Sequence, residues 1–350
     1  MFEEREFGLA YCRSFSEQRI ALEDALKTPY NLGKKGRAVV FPSGMSAIYT
    51  VINYAHRKNP GFALMSNEMY GDTGKVVKHF YKNDHLAIDV ACDEEYMTTV
   101  VEQHKDTLSL FVFESCSNPS GKIFPFHILS DLQKIAPKCL FVCDNTWCSV
   151  YGCNPFEVTV PGTWREKKSR KGLVVVESMT KYISGGQCIG GCAVGFAQDM
   201  GDIANLAKLQ GLYVGCDHCE IFLQGCATLQ ERMERFSEKT ERIVWWLETH
   251  TDVKYPILPG HETHHRLHFL KLAPACVWFK VNASYEVVSE KIKQSRLIRY
   301  KTSYGGDDTR FDPWPESFDD HETWVRLAIG LTDDAEGMVQ ALAEFLESCR

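Results

Sequence analysis

LVVVESMTKYISGGQCIGGCAVG, residues 173–195, decides how the rest of the chain is read. The apolar run Leu173–Val176 predicts a short buried strand. It leads into Glu177, Ser178, Met179, Thr180, Lys181 and Tyr182, then into a turn carrying Gly185, Gly186, Gly190 and Gly191, and out through a second predicted strand, Cys192–Phe196. Glycine lets backbone come close to a ligand, and hydroxyl groups nearby can donate to a phosphate. A lysine partly withdrawn from water loses proton affinity, and its free amine then serves as a Schiff-base former or a general base. The alternative for the same residues is a solvated lysine at a strand-to-loop junction.

Composition limits the field. With 350 residues the chain can bury a large core and divide into a larger and a smaller domain. Apolar residues make up 44% and charged residues 24%, as in ordinary globular proteins. The net charge of -7 argues against a nucleic-acid partner, and the one basic run, Arg165–Lys171, reads as a solvated loop. The acidic start MFEEREFGLAYCRS is not a secretory signal, and no stretch has the roughly 18 apolar residues of a membrane helix. A cytoplasmic protein is expected. Without a signal, the fourteen cysteines read as reduced and mostly buried thiols. Cys216-Asp217-His218-Cys219, the Cys188/Cys192 pair and the cluster of His261, His264, His265 and His268 touch on metal-ligand spacings. A structural zinc site usually needs two such pairs at the right separation, and the Cys188 pair lies in the glycine turn and its flanking strand. Pro259-Gly260 and Thr263 make the histidines a solvated loop, so no metal is expected.

Upstream, Ala38–Phe41 predicts a strand and Pro42-Ser43-Gly44-Met45-Ser46 a turn into a helix. A helix N-terminus offers unpaired N–H groups and a partial positive charge, which suits a phosphate. Strands are also predicted at Ala63–Ser66, Leu108–Phe113 and Leu140–Cys143. The last two run into Glu114 to Pro119 and into Asp144-Asn145-Thr146. An acid at the end of a buried strand suits an ion pair with a ligand cation, although a plain turn aspartate is the default. Helical spacing holds over Arg19–Lys27 and from Leu223 to Leu247.

Taken in order, these stretches resemble the cysteine/methionine-metabolism family of pyridoxal phosphate (PLP) enzymes, which includes cystathionine γ-synthase, the cystathionine lyases and methionine γ-lyase. The matching segments are Tyr11-Cys12-Arg13 ahead of Ala21-Leu22-Glu23, Ser43-Gly44-Met45, Tyr70-Gly71-Asp72-Thr73, Glu114 to Pro119, Asp144-Asn145-Thr146, Ser178-Met179-Thr180-Lys181-Tyr182, Ser303 to Asp308 and Val325-Arg326-Leu327. The resemblance implies that Lys181 is the Schiff-base lysine and that Asp144 pairs with the ring nitrogen, with Thr146 beside it. It implies that Asn118 bonds the cofactor's 3′-oxygen, and that Ser43, Gly44, Met45, Ser178 and Thr180 hold the phosphate. Tyr11 and Arg13 would reach the phosphate of a neighbouring subunit. Tyr70 would stack on the ring and assist the leaving group, while Ser303 and Arg326 anchor the substrate carboxylate.

Several positions depart from the family pattern. Asp72 stands where glycine or cysteine is usual, which suggests a positive distal group on the substrate. Glu177 replaces the usual histidine or serine, Gly185-Gly186 replaces Gly-His, and Tyr304 replaces leucine, as in some bacterial cystathionine β-lyases. The segment 156–171 is longer than usual.

The implied fold is that of the fold-type I PLP-dependent transferases, an α/β large domain with a mostly parallel seven-stranded sheet plus a smaller α+β C-terminal domain. The domains are expected as an arm over 1–30, a PLP-binding domain over 31–250 and a small domain over 251–350. The implied activity is γ-elimination or γ-replacement on a γ-substituted amino acid such as an O-acyl homoserine or cystathionine. The alternatives are a β-elimination of the cystathionine β-lyase type or a non-catalytic relative. A homodimer or homotetramer with shared active sites is implied, with a small amino acid as substrate and with no nucleic-acid or membrane partner.

Overall fold

A computed structural model describes residues 16–89, 93–157, 172–250, 252–257, 269–295, 299–314 and 321–350. Tyr11, Arg13, residues 158–171 of the long segment and the four histidines at 261–268 lie outside the described residues.

In chain order the elements are α1 (Glu17–Lys27), β1 (Gly36–Phe41), α2 (Gly44–Lys58), β2 (Phe62–Ser66), α3 (Gly71–Tyr81), β3 (His85–Ile88), α4 (Glu94–Gln103), β4 (Leu108–Glu114) and α5 (Leu129–Ile135). There follow β5 (Leu140–Asp144), the single turn α6 (Ser149–Gly152), β6 (Leu173–Glu177), β7 (Gly191–Phe196), α7 (Ala197–Leu209) and α8 (Cys216–Glu248). The chain continues through β8 (Val253–Ile257), β9 (Cys276–Val281), α9 (Tyr285–Gln294), β10 (Arg299–Tyr300), β11 (Arg310–Trp314), β12 (Thr323–Ala328) and α10 (Ala335–Ser348).

The first sheet has seven strands in the order β1-β7-β6-β5-β4-β2-β3. The pairs β2–β3, β2–β4, β4–β5 and β5–β6 are parallel, and only β7 runs against its neighbours. This is the mostly parallel α/β sheet expected. A parallel sheet must be covered on both faces, and β4, β5 and β6 accordingly read as unbroken apolar runs. Alternate residues supply the two layers. Leu173 and Val175 join the core formed with α1 and α8, whereas Val174 and Val176 join the core formed with α2 and α7. Each such side chain, fully buried, contributes ~1.5–3 kcal/mol. The second sheet, β10-β11-β12-β9-β8, is antiparallel except at β10–β11 and forms the smaller C-terminal unit with α9 and α10.

Helix α8 begins seven residues before the periodicity at Leu223 suggests, so Cys216 and Cys219 sit on its first turn. All twelve described cysteines are free thiols and nine are buried. Among the described residues, no group of three or more His, Cys, Asp or Glu could hold a metal ion, and no helix is long and apolar enough to cross a membrane.

The same helix ties the sheets together. Lys239 Nζ donates to the carbonyls of Gly330, Leu331 and Asp333 beyond β12. Arg232 donates to the carbonyls of Tyr182, Ile183 and Gly225, pinning the segment that follows Lys181. Replacing Arg232→Met keeps the stem but leaves those carbonyls without their donor. A loss of about 2–3 kcal/mol is expected, read as a lower urea midpoint.

Candidate active site

The C-terminal ends of β4, β5 and β6, the start of α2 and the loop before β11 enclose a cavity of about 360 Å³. Ligands of open α/β sheets bind at this end of the strands, because there the loops diverge and helix N-termini converge. Twelve residues singled out in the sequence line this cavity: Ser43, Gly44, Met45, Tyr70, Asn118, Asp144, Thr146, Ser178, Thr180, Lys181, Ser303 and Arg326. Asp72 does not. Its carboxylate pairs with Lys75 at 2.8 Å on the first turn of α3, beside Tyr70 rather than in the cavity wall.

Lys181 Nζ donates to Ser303 Oγ at 2.7 Å and lies 5.2 Å from the centre of the Tyr304 ring. Burial lowers its proton affinity, and the Arg326 guanidinium lowers it further. The amine is therefore more readily deprotonated than a surface lysine. Ser303 has φ 86°, a left-handed backbone that a serine rarely adopts, and a loop held this way aims its hydroxyl at the amine. Gly305 must be glycine, since a Cβ there would stand 2.8 Å from Tyr182 N and 2.9 Å from Lys181 C. The loop thus lies directly on the lysine backbone.

Asp144 ends β5. Its Oδ1 accepts from Thr146 N at 2.9 Å and Thr146 Oγ1 at 2.5 Å, and the Thr146 hydroxyl in turn accepts from Ser178 N at 2.9 Å. One hydroxyl therefore locks the end of β5 to the end of β6. Burial pushes the Asp144 carboxyl up, although the Thr146 bonds and Lys181 oppose this.

The start of α2 forms a cup. Ser43 caps the helix with Ser46, its Oγ accepting from Ser46 N at 3.0 Å. The N–H groups of Gly44 and Met45 are left with no bond inside the helix. A Cβ on Gly44 would come within 2.9 Å of Ser178 Cβ, and one on Gly191 within 2.6 Å of Gly44 N, so the cup closes only because both positions lack side chains. Thr180 contributes differently from what the resemblance implies. Its hydroxyl bonds both the N–H and the carbonyl of Gly190, at 3.1 and 3.3 Å, and so shapes the glycine turn.

Arg326, on β12, is 5% exposed. It donates to Asn118 Oδ1 at 3.0 Å, to Thr302 Oγ1 at 3.0 Å and to Asp312 Oδ2 at 2.8 Å, while its buried Nε has no partner among the described residues. The Asn118 amide oxygen is thereby occupied, leaving its N–H groups as the donors available to the cavity.

Glu114 has a role in the site that no motif assigns to it. Its two oxygens accept from Tyr70 N at 2.8 Å and Asn118 N at 2.9 Å, so one carboxylate sets both cavity residues. The signal was present, an acid closing an apolar strand as Asp144 does. Trp147 lines the cavity with a buried Nε1 that has no partner among the described residues, and it packs edge-on against Tyr304.

The resemblance implies PLP, and the groups fit it. The α2 cup suits a phosphate, the Asp144 carboxylate a ring cation, the Lys181 amine an aldehyde, and the orphaned Arg326 Nε an amino-acid carboxylate.

The comparisons agree. The family model described as "Cys/Met metabolism PLP-dependent enzyme" matches residues 1–336. An L-methionine γ-lyase of Fusobacterium nucleatum subsp. polymorphum is 24% identical over 340 residues, covering 95% of this chain and 82% of the relative. A cystathionine β-lyase of Bacillus subtilis is 29% identical over 273 residues, 74% of this chain and 64% of the relative. The crystal structure of cystathionine γ-synthase from Xanthomonas oryzae pv. oryzae superposes with a TM-score of 0.81 at 23% identity, covering 96% of this chain and 87% of that one. A family match along nearly the whole chain, on a shared fold, means that this protein belongs to the Cys/Met metabolism family of PLP-dependent enzymes.

Proposed function

We propose that the protein catalyses γ-elimination or γ-replacement on a γ-substituted amino acid of sulfur metabolism, with Lys181 as the cofactor-bearing lysine and proton carrier. The observation that carries this reading is the Lys181 amine. It has lowered proton affinity, sits 2.7 Å from Ser303 Oγ, and shares one cavity with Asp144 and Arg326. When bound, PLP supplies an electron sink for negative charge developing at the substrate's Cα.

The chain's own groups do the rest. Arg326 binds the substrate carboxylate and is held in place by Asp312 and Asn118. The Lys181 amine would take the proton from Cα, and a γ-reaction requires the same amine to act at Cβ. Its contact with the Ser303 hydroxyl gives it a resting position between these tasks. Tyr70 has its phenol pushed up by burial and by the Asp72 carboxylate, so it holds its proton at neutral pH and can donate it to a departing γ-substituent. The buried Tyr304 ring covers one side of the Lys181 amine.

The second reading, β-elimination, draws on Tyr304, whose ring packs over the Lys181 amine and narrows its range. Cystathionine separates the two readings. γ-Elimination releases cysteine, ammonia and a four-carbon 2-oxo acid, whereas β-elimination releases homocysteine, ammonia and pyruvate. Mass analysis of products from cystathionine, methionine and O-acyl homoserines is expected to give the four-carbon acid or a γ-exchanged amino acid. Pyruvate alone would favour the second reading.

Lys181→Ala is expected to lose both turnover and the visible absorbance that wild type gains on adding PLP. Arg326→Ala is expected to lower kcat/KM by about 10²–10³ while that absorbance persists, which steady-state kinetics would check. The reading also includes a cytoplasmic homo-oligomer in which Tyr11 and Arg13 complete the neighbour's site. Mixing inactive Arg13→Ala and Lys181→Ala chains is then expected to restore part of the activity, and no recovery in mixed oligomers would count against shared sites.

A further inference from the structure

Three carboxyl groups close three adjacent strands at the floor of the cavity: Glu114 on β4, Asp144 on β5 and Glu177 on β6. Glu114 is occupied by the backbone of Tyr70 and Asn118, and Asp144 by Thr146. Glu177 has a different setting. It is 7% exposed, and its Oε1 accepts from the phenol of Tyr30, in the turn after α1. Asn145 Nδ2 stands 3.4 Å from Tyr30 Oη and 2.9 Å from the Cys153 carbonyl, completing a clamp of neutral groups.

Among the described residues, the ionisable groups that face Glu177 are Tyr30, Asp144 on β5, Cys192 on β7, Tyr151 on α6 and Cys226 on α8. None is a cation. A buried acid beside another acid, clamped in place with no positive partner, is costly to the fold unless something else brings the charge.

We propose that Glu177 is a positioning residue for the cofactor: it adds its negative charge beside Asp144 and so raises the affinity of the site for a protonated ring nitrogen. This rests on the reading that Asp144 faces that nitrogen. In the cofactor-free protein, burial pushes the Glu177 carboxyl up to about 7, opposed by the Tyr30 and Asn145 bonds. Its folded value therefore exceeds its unfolded one. The stability it contributes is complete at acid pH and is lost as pH rises through about 7. A ring cation next to Asp144 reverses the preference and holds Glu177 ionised.

The test compares affinity for PLP with affinity for its 1-deaza analogue, in which carbon replaces the ring nitrogen. At pH 8, Glu177→Gln is expected to weaken PLP binding roughly fivefold to tenfold while binding of the analogue stays at the wild-type level. The visible band of the loaded variant is expected to be lost at a lower pH than in wild type. Cofactor-free Glu177→Gln is expected to melt above wild type at pH 8 and together with it near pH 4.5. Tyr30→Phe removes one stabilising bond from the carboxylate, and carries the test should Glu177→Gln fail to fold. Its PLP affinity is expected to fall at pH 7 and recover by pH 9. An unchanged ratio of the two affinities in Glu177→Gln, with Asp144→Asn lowering it, overturns this inference alone. An unchanged ratio in Asp144→Asn overturns the Asp144 reading beneath it.

Discussion

The amine of Lys181 is partly withdrawn from water, and that burial, with the Arg326 guanidinium beside it, lowers its proton affinity against the opposing pull of Asp144. It is half-buried, 5.2 Å from the centre of the Tyr304 ring, bonded to the Ser303 hydroxyl, and pushed down by burial and then by Arg326. The strained serine, the side-chain-free Gly305 and the Arg232 clamp on the carbonyls of Tyr182 and Ile183 all hold the short segment around that amine. A lysine so placed contributes little to stability, so these supports make sense as parts of a reactive site.

The site joins two sheets. The first supplies strand ends and the α2 cup, a rigid frame fully buried on both faces. The second supplies Arg326, whose neighbours are Asp312 on β11 and Asn118 from the first sheet's loops. That Arg326–Asn118 bond links the groups expected to hold substrate and cofactor, so a shift of one sheet against the other would be felt at both. Helix α8, bonded through Arg232 to the lysine segment and through Lys239 to the end of the second sheet, limits such a shift.

Charge is unevenly shared across the cavity. Acids gather at the strand ends, and Lys181 and Arg326 stand opposite. Burial raises Glu114, Asp144 and Glu177, so each of these carboxyls holds its proton more firmly there than in water. The Tyr30–Glu177 pair and the Glu114 clasp are arranged in advance, so a ligand need not organise them.

Much of this was legible in the chain alone. The apolar runs of β4, β5 and β6 are continuous because a parallel strand is buried on both faces, so their positions and the acids that close them could be read directly. Small residues at Ser43, Gly44, Ser178 and Gly191 signalled close backbone approach, since only such residues leave the room. The order of motifs singled out twelve residues that line one cavity. What sequence could not supply was which side chains meet. Asp72 reads as a cavity residue by its place after Tyr70, yet one turn of α3 carries it to Lys75 instead. Thr180 reads as a phosphate donor but is engaged by Gly190. Tyr30 and Glu177, or Asn118 and Arg326, lie far apart along the chain and are joined only when strands and loops pack. Local pattern reports how each residue's own segment is buried, whereas pairing between distant polar groups is decided by the tertiary fold.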